Sequence, residues 1–165
     1  MSLNVKNFQL LDVLEEKNSL LEKYTENYAE LERAYNAYKN LSDTTKFALE
    51  GIFGAENSPT IFLTGALQQG HLESLFDYIA NAINTHADQS EIEILRDIFD
   101  FAFNAVNLKK DYARLEISEG DDYDGETMRK TSDSSQSGAV KNILLVGYKF
   151  VRTDRIVKQS LVFID

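Results

Sequence analysis

The spacing of apolar residues changes along this chain near Lys110. Up to that point apolar residues recur every three or four positions, as in amphipathic helices, and beyond it they alternate with polar residues, as in half-buried strands. The sequence therefore predicts an α+β fold with a long N-terminal helix, a helical bundle and a small C-terminal β region. We place these three parts at residues 1–41, 42–110 and 111–165.

Composition limits the classes of function. The 165 residues carry 27 acidic and 17 basic side chains, and the net charge of −10 disfavours binding to the phosphates of nucleic acids. No apolar run reaches the ~20 residues that cross a bilayer and no secretory signal is recognisable, so we expect no membrane association and a cytoplasmic location. The absence of cysteine excludes disulfides and thiolate metal sites and agrees with a reducing compartment.

A heptad pattern runs from Leu10 to Tyr38, where apolar and aromatic side chains alternate spacings of four and three. Charged residues fill most of the intervening positions, and Lys17 interrupts the stripe. The alternative to a coiled coil is a surface helix whose stripe lies on its own domain. The pattern predicts a coiled-coil homodimer formed through Leu14, Leu21, Tyr24, Tyr28, Leu31, Tyr35 and Tyr38.

Helix-start signals divide the middle of the chain. Pro59 fits the first turn of one helix, and another begins near His71. A capping box at Ser90–Glu93 marks the next start, so the last two helices should be antiparallel neighbours. Both have wide apolar faces, and closing such a pair into a bundle needs two more helices, from residues 43–69 or from a second copy.

The C-terminal region predicts a β-hairpin from Ala139 to Ile164, with its turn at Arg152–Asp154. A lone hairpin is marginally stable in water, so the strand predicted at Tyr112–Ser118 should join it in a small sheet. The first hairpin strand is apolar on both faces, which indicates either a protein-binding surface or a fully internal strand. Its locally basic character suits an acidic protein partner and comes from Lys141, Lys149, Arg152, Arg155 and Lys158.

Motifs for catalysis and cofactor binding are absent from the sequence. It contains no phosphate-binding loop, dinucleotide fingerprint or nucleophile elbow. His71 and His86 are too far apart along the helical segment to share a metal ion, and the acidic stretch at residues 121–126 lacks the ligands of a calcium loop. We therefore expect a protein that is not an enzyme and that holds no metal or cofactor.

Four short segments follow one another near the C-terminus, as YDGE at 123–126, GAV at 138–140, LLVGY at 144–148 and RIVKQSLV at 155–162. By the order and spacing of these segments, the stretch from Tyr123 to Ile164 resembles the C-terminal β-wing of GrpE, the nucleotide exchange factor of DnaK-type chaperones. Leu75–Ile83 is similar to the first bundle helix of that family, so the resemblance covers about residues 72–165. The turn between Tyr148 and Arg155 is longer than is usual in the family.

The resemblance implies a homodimeric co-chaperone that binds the nucleotide-binding domain of a DnaK-type chaperone, holds it open and promotes ADP release. By position, it implies partner contacts at Leu144, Gly147, Tyr148, Arg155 and Lys158, with Arg155 as the foremost charged contact. Alternatively, Arg155 and Lys158 are solvated strand charges and Tyr148 belongs to the core. The rival function is a coiled-coil adaptor or structural interaction protein that has a GrpE-like shape and no exchange activity.

Overall fold

The computed structural model describes the backbone of residues 3–165 and the side chains of residues 9–25 and 28–165. The helices are α1 (Leu3–Lys39), α2 (Asp43–Ala48), α3 (Glu50–Phe53), α4 (Pro59–Ala66), α5 (Gln69–Asn84) and α6 (Gln89–Val106). The strands are β1 (Tyr112–Arg114), β2 (Met128–Lys130), β3 (Val140–Leu145), β4 (Tyr148–Phe150), β5 (Ile156–Lys158) and β6 (Ser160–Ile164). The mixed α+β character and the C-terminal strands are thus confirmed.

The strands form two three-stranded sheets, in the orders β1-β4-β5 and β2-β6-β3. The antiparallel pairs β3-β6 and β4-β5 are the two halves of one bent hairpin, so this hairpin supplies two strands to each sheet. β1 adds to β4 in antiparallel orientation, and β2 adds to β6 in parallel. The strand expected at Tyr112–Ser118 therefore joins the hairpin, but it ends at Arg114 and contacts only the outer half.

The hairpin bends at Gly147, between β3 and β4. A Cβ atom at this position would lie 2.1 Å from the carbonyl oxygen of Lys158. The Gly147 amide donates a buried 2.8 Å hydrogen bond to the Ser160 Oγ, and the Gly147 carbonyl accepts one from the Leu115 amide at 2.9 Å. Without a side chain, the two arms of the hairpin approach closely enough to pass from one sheet into the other.

Helices α5 and α6 form an antiparallel pair joined by residues 85–88. Phe76 of α5 and Phe99 of α6 lie at similar distances from this loop along the chain, and their ring centroids are 5.6 Å apart. The side chain of Asp88 accepts hydrogen bonds from the amides two and three residues further on, so Asp88 is the N-cap of α6. The capping box predicted at Ser90–Glu93 is therefore wrong by two residues.

Among the described side chains of α1, those of residues 9–25 and 28–39, only the ones near the C-terminal end belong to the core. Tyr35 and Tyr38 are buried, and their rings lie 5.7 and 5.4 Å from the ring of Phe62 in α4. Further toward the N-terminus the apolar side chains face outward, as shown by Leu10 at 67% exposure and Leu21 at 62%. A single chain thus leaves much of the heptad stripe uncovered.

The main apolar core joins the helices to the sheet β1-β4-β5 through Tyr148. This side chain is 1% exposed, and its ring lies 5.5 to 6.3 Å from the rings of four aromatic residues on α5, α6 and β1. Burial raises the pKa of the Tyr148 hydroxyl well above its usual value, with smaller contributions from Glu73 and other nearby groups. A second, smaller cluster, which contains Met128 and Val162, lies under the sheet β2-β6-β3.

We predict that Gly147→Ala destabilises the protein by about 2 kcal/mol or more, because the added methyl group overlaps the Lys158 backbone. Urea denaturation followed by circular dichroism measures this difference. The matched control is Gly51→Ala in α3, where an added Cβ has nothing within 4 Å, and its stability should stay within about 1 kcal/mol of wild type. Equal stability of the two variants would contradict the role assigned to Gly147.

Candidate protein-binding surface

The five residues predicted to contact a partner lie at very different depths. Arg155 is exposed, whereas Leu144 and Lys158 are half-buried. Gly147 and Tyr148 are buried, which corrects their placement at a binding surface. The Gly147 backbone packs against another strand, and the Tyr148 ring packs among four other rings. Both residues stabilise the fold, and neither presents a side chain to a partner.

The turn that joins β4 to β5 is the most accessible part of the bent hairpin. It is closed by a 2.9 Å hydrogen bond from the Phe150 amide to the Arg155 carbonyl, and the Val151 amide bonds to the Asp111 carbonyl at the start of β1 at 2.9 Å. Asp154 has a positive φ of 53°. The turn therefore has a defined conformation that is tied to the neighbouring strand.

Ion pairing also orders this turn. The Asp154 carboxylate accepts a hydrogen bond from Lys149 Nζ at 2.8 Å across the hairpin. This hydrogen bond, together with the charge of Asp154, raises the pKa of Lys149. Asp154 is largely exposed and Lys149 is half-buried, so the pair adds little stability, and its main effect is to fix where the Asp154 charge lies.

Arg155 stacks its guanidinium group on the ring of Phe150, with 4.7 Å between the guanidinium carbon and the ring centroid. Stacking of this kind restricts a long side chain while it leaves the N–H donors at the edge of the guanidinium plane exposed. The hydrogen bonds that Arg155 makes within the described part of the chain come from its backbone. Its side chain is thus oriented and still able to bind a carboxylate.

Lys158 forms an ion pair within its own chain. Its Nζ donates to both carboxylate oxygens of Asp77 in α5, at 2.8 and 2.7 Å, and the lysine side chain is only 18% exposed. The pair links β5 to the helices and so helps to orient the sheet β1-β4-β5. A partner would have to compete with Asp77 for this ammonium group.

Leu144 lines a groove between α6 and the hairpin, together with Arg114 and neighbouring residues of β3. The Arg114 guanidinium forms an ion pair with Asp100 of α6 and donates a 3.2 Å hydrogen bond to the Val146 carbonyl. It also lies 4.0 Å from the centroid of the Phe103 ring. One arginine on β1 therefore connects the helix, the bend of the hairpin and the aromatic core.

The residues predicted to form the dimer seam fall into two groups. Tyr35 and Tyr38 are buried in the core of their own chain, and Leu31 is half-buried against it. This corrects the prediction for the two tyrosines, because rings packed against α4 are not free to pair with a second helix. The remaining four are exposed, namely Leu14, Leu21, Tyr24 and Tyr28.

A cleft beside the β4–β5 turn brings Lys109, which the sequence did not associate with the basic hairpin, next to two of the hairpin's cations. Lys109, which follows α6, and Arg152, in the turn, line it along with Arg155. Antiparallel pairing of Tyr112 with Phe150 brings the residues before β1 alongside the residues after β4. The sequence shows the basic residues and the strands beside them. It does not show the register of β1 with β4, which brings Lys109 next to the turn.

Among the residues that the structure describes, no three histidine or acidic side chains come together as metal ligands. Over the same residues, no helix has the length and apolar character needed to span a bilayer. His71 instead contacts the Gly65 carbonyl through Nδ1 at 3.1 Å.

The chain matches no protein-family model, no curated protein and no solved structure. The arrangement of its own residues is therefore the basis for assigning a function. That arrangement presents an exposed, ordered and basic turn on a sheet fixed to the helices, which is a surface suited to binding another protein.

We predict that Arg114→Lys destabilises the protein by about 1–2 kcal/mol, because a lysine cannot pair with Asp100, bond to the Val146 carbonyl and cover the Phe103 ring at once. The midpoint of urea unfolding measures the loss. Arg129→Lys, at an exposed position of β2, is the matched control and should change stability by less than about 0.5 kcal/mol. Similar losses in both variants would show that Arg114 has no special role.

Proposed function

We propose that this chain is a GrpE-like nucleotide exchange factor, which binds the nucleotide-binding domain of a DnaK-type chaperone in the cytoplasm and promotes release of ADP. One observation carries the proposal. The segment that resembles the GrpE wing, Tyr123–Ile164, contains the bent hairpin, and the arginine that matches the family's wing arginine, Arg155, is exposed on its turn. No bond is made or broken in such a function.

The mechanism requires that the wing bind the open form of the chaperone more tightly than the closed form. A ligand shifts a conformational equilibrium only by its difference in affinity for the two states. A rigid wing serves this purpose, because a wing that bends would fit both forms. Rigidity is supported by Tyr148 in the core and by the ion pairs that Lys158 and Arg114 make with the helices.

Arg155 is the residue that we assign to the charged contact with the chaperone. It is exposed, it is oriented by the Phe150 ring, and it has no carboxylate partner among the described residues. Lys158 acts in this proposal mainly through Asp77, by orienting β5. Leu144 contributes an apolar patch beside the bend.

The long N-terminal helix and a helical bundle complete the proposal. The exposed apolar stripe of α1 pairs with the same stripe of a second copy, and α5 and α6 belong to the bundle from which the wings project. Leu14, Leu21, Tyr24 and Tyr28 form the seam, since these residues are exposed in a single chain. The seam needs no contribution from Tyr35 or Tyr38.

We predict that Arg155→Ala reduces chaperone-stimulated ADP release by about tenfold, because a charge-assisted contact to the partner is lost. Stopped-flow release of labelled ADP from DnaK-type chaperones of the same organism measures the rate. Arg33→Ala, an exposed arginine of α1 outside the wing, is the matched control and should leave the rate unchanged. Wild-type rates for Arg155→Ala would remove this residue from the contact.

The same assay separates exchange factor from adaptor. Acceleration by the wild-type protein with at least one chaperone supports the proposed function. A folded protein that accelerates release from none of them would instead indicate an adaptor that has a GrpE-like shape and no exchange activity.

We predict that Leu21→Glu converts a dimer into a monomer, because it places a charge in the centre of the apolar seam. Light scattering at concentrations on the order of 10 μM should give twice the chain mass of 18.7 kDa for wild type and a single chain mass for the variant. Ser19→Glu is the control, because a residue two positions before Leu21 lies on the opposite side of the helix. A monomeric wild-type protein would contradict the seam.

A further inference from the structure

A cleft beside the β4–β5 turn contains three cations from two parts of the chain, one from the link between α6 and β1 and two from the turn. Its volume is about 630 Å³, within the range typical of protein ligand sites. The start of α5, the link from α6 to β1, and the turn form its walls. Lys109, Arg152 and Arg155 line it together with the apolar surfaces of Phe150 and Tyr112.

None of these three cations forms an ion pair with the described side chains, those of residues 9–25 and 28–165. The ion pairs formed there involve other lysines and arginines. Asp154, the acidic residue nearest in sequence to Arg155, is held by Lys149 on the opposite strand. In a chain with 27 acidic and 17 basic residues, this arrangement keeps a local excess of positive charge.

The negative groups around the cleft do not cancel this excess. Asp111 is a lining residue, and Glu73 lies close enough to act on Tyr112. Burial raises the pKa of Tyr112, Glu73 and Asp111 add to this rise, and Arg155 opposes it. The lining itself therefore holds three cations and one carboxylate.

We propose that this cleft binds an acidic segment of a protein partner, with carboxylates of the segment paired to Lys109, Arg152 and Arg155. The identity of the partner as the chaperone rests on the proposed function. A long polyanion such as nucleic acid is a poor occupant, because the net charge of −10 repels it over the remaining surface. A short acidic segment contacts only the cations of the cleft and does not extend over the acidic remainder of the surface.

The geometry suits glutamate or aspartate side chains. The guanidinium of Arg155 lies over the Phe150 ring, which restricts the side chain, and its donors can pair with a planar carboxylate. Phe150 and Tyr112 offer apolar surface to the methylene groups of the segment. Arg152 lies in the exposed β4–β5 turn, so it places a second cation beside Arg155 on the accessible side of the cleft.

The test measures binding of fluorescein-labelled hexaglutamate by fluorescence anisotropy, at about 50 mM salt, where screening is moderate. The proposal expects binding of hexaglutamate, no binding of hexaglutamine, and about five- to tenfold weaker binding for Arg152→Gln and for Lys109→Gln. Both residues are exposed, so the variants should fold, and thermal melts check this. The matched control is Arg129→Gln on β2, which should bind within about twofold of wild type.

Three results would overturn the proposal. The first is no binding of hexaglutamate, and the second is an equal loss for Arg129→Gln and Arg152→Gln, which would indicate general attraction to a basic surface. The third is binding of inorganic phosphate, measured by calorimetry, without binding of hexaglutamate, which would indicate a site for a small anion.

ADP-release assays distinguish failure of the cleft from failure of the proposed function. Acceleration that is unchanged in Arg152→Gln and Lys109→Gln would leave the exchange function standing and refute the cleft as part of it. Cleft-selective binding of hexaglutamate without acceleration of any chaperone would support the cleft and refute the exchange function.

Discussion

The close contact between Gly147 and the backbone of Lys158 and Ser160 determines the shape of the C-terminal half of this protein. It divides one hairpin between two sheets and places Tyr148, the next residue, at the start of a strand that faces the helices. The buried hydrogen bond from the Gly147 amide to Ser160 holds the contact in place. Because β4 begins and β5 ends at this crossing, the position of the exposed turn and of Arg155 depends on it as well.

The helices and the strands are then joined by side chains that leave the sheet β1-β4-β5. Tyr148 inserts into the aromatic core, Arg114 reaches Asp100 of α6, and Lys158 reaches Asp77 of α5. These three connections leave different strands of one sheet, so together they oppose rotation of the sheet on the helices. The surface that we assign to partner binding is thereby presented in a fixed orientation relative to the helices.

Local patterns were enough to predict the classes of element but not their long-range contacts. The alternation after Lys110 identified the strands, and Pro59 marked the start of α4. The heptad stripe looks the same whether it faces a second chain or its own domain, so burial of Tyr35 and Tyr38 could not be read from it. The cleft was likewise hidden, because Lys109 and Arg152 meet only through the register of β1 with β4. Gly147 carried a weak signal, since a glycine inside a strand often marks close backbone approach.

The position of the exposed stripe on α1 determines which residues of this helix can be substituted without disturbing the core. Leu10 and Tyr35 are separated by about 37 Å of helix, at 1.5 Å per residue, so most of the exposed stripe projects away from the core. Substitutions near the N-terminus are free of the packing constraints that apply at Tyr35 and Tyr38. In the proposed dimer, self-association and the stability of the single chain would be controlled by different residues of the same helix, and each property could change during evolution without altering the other.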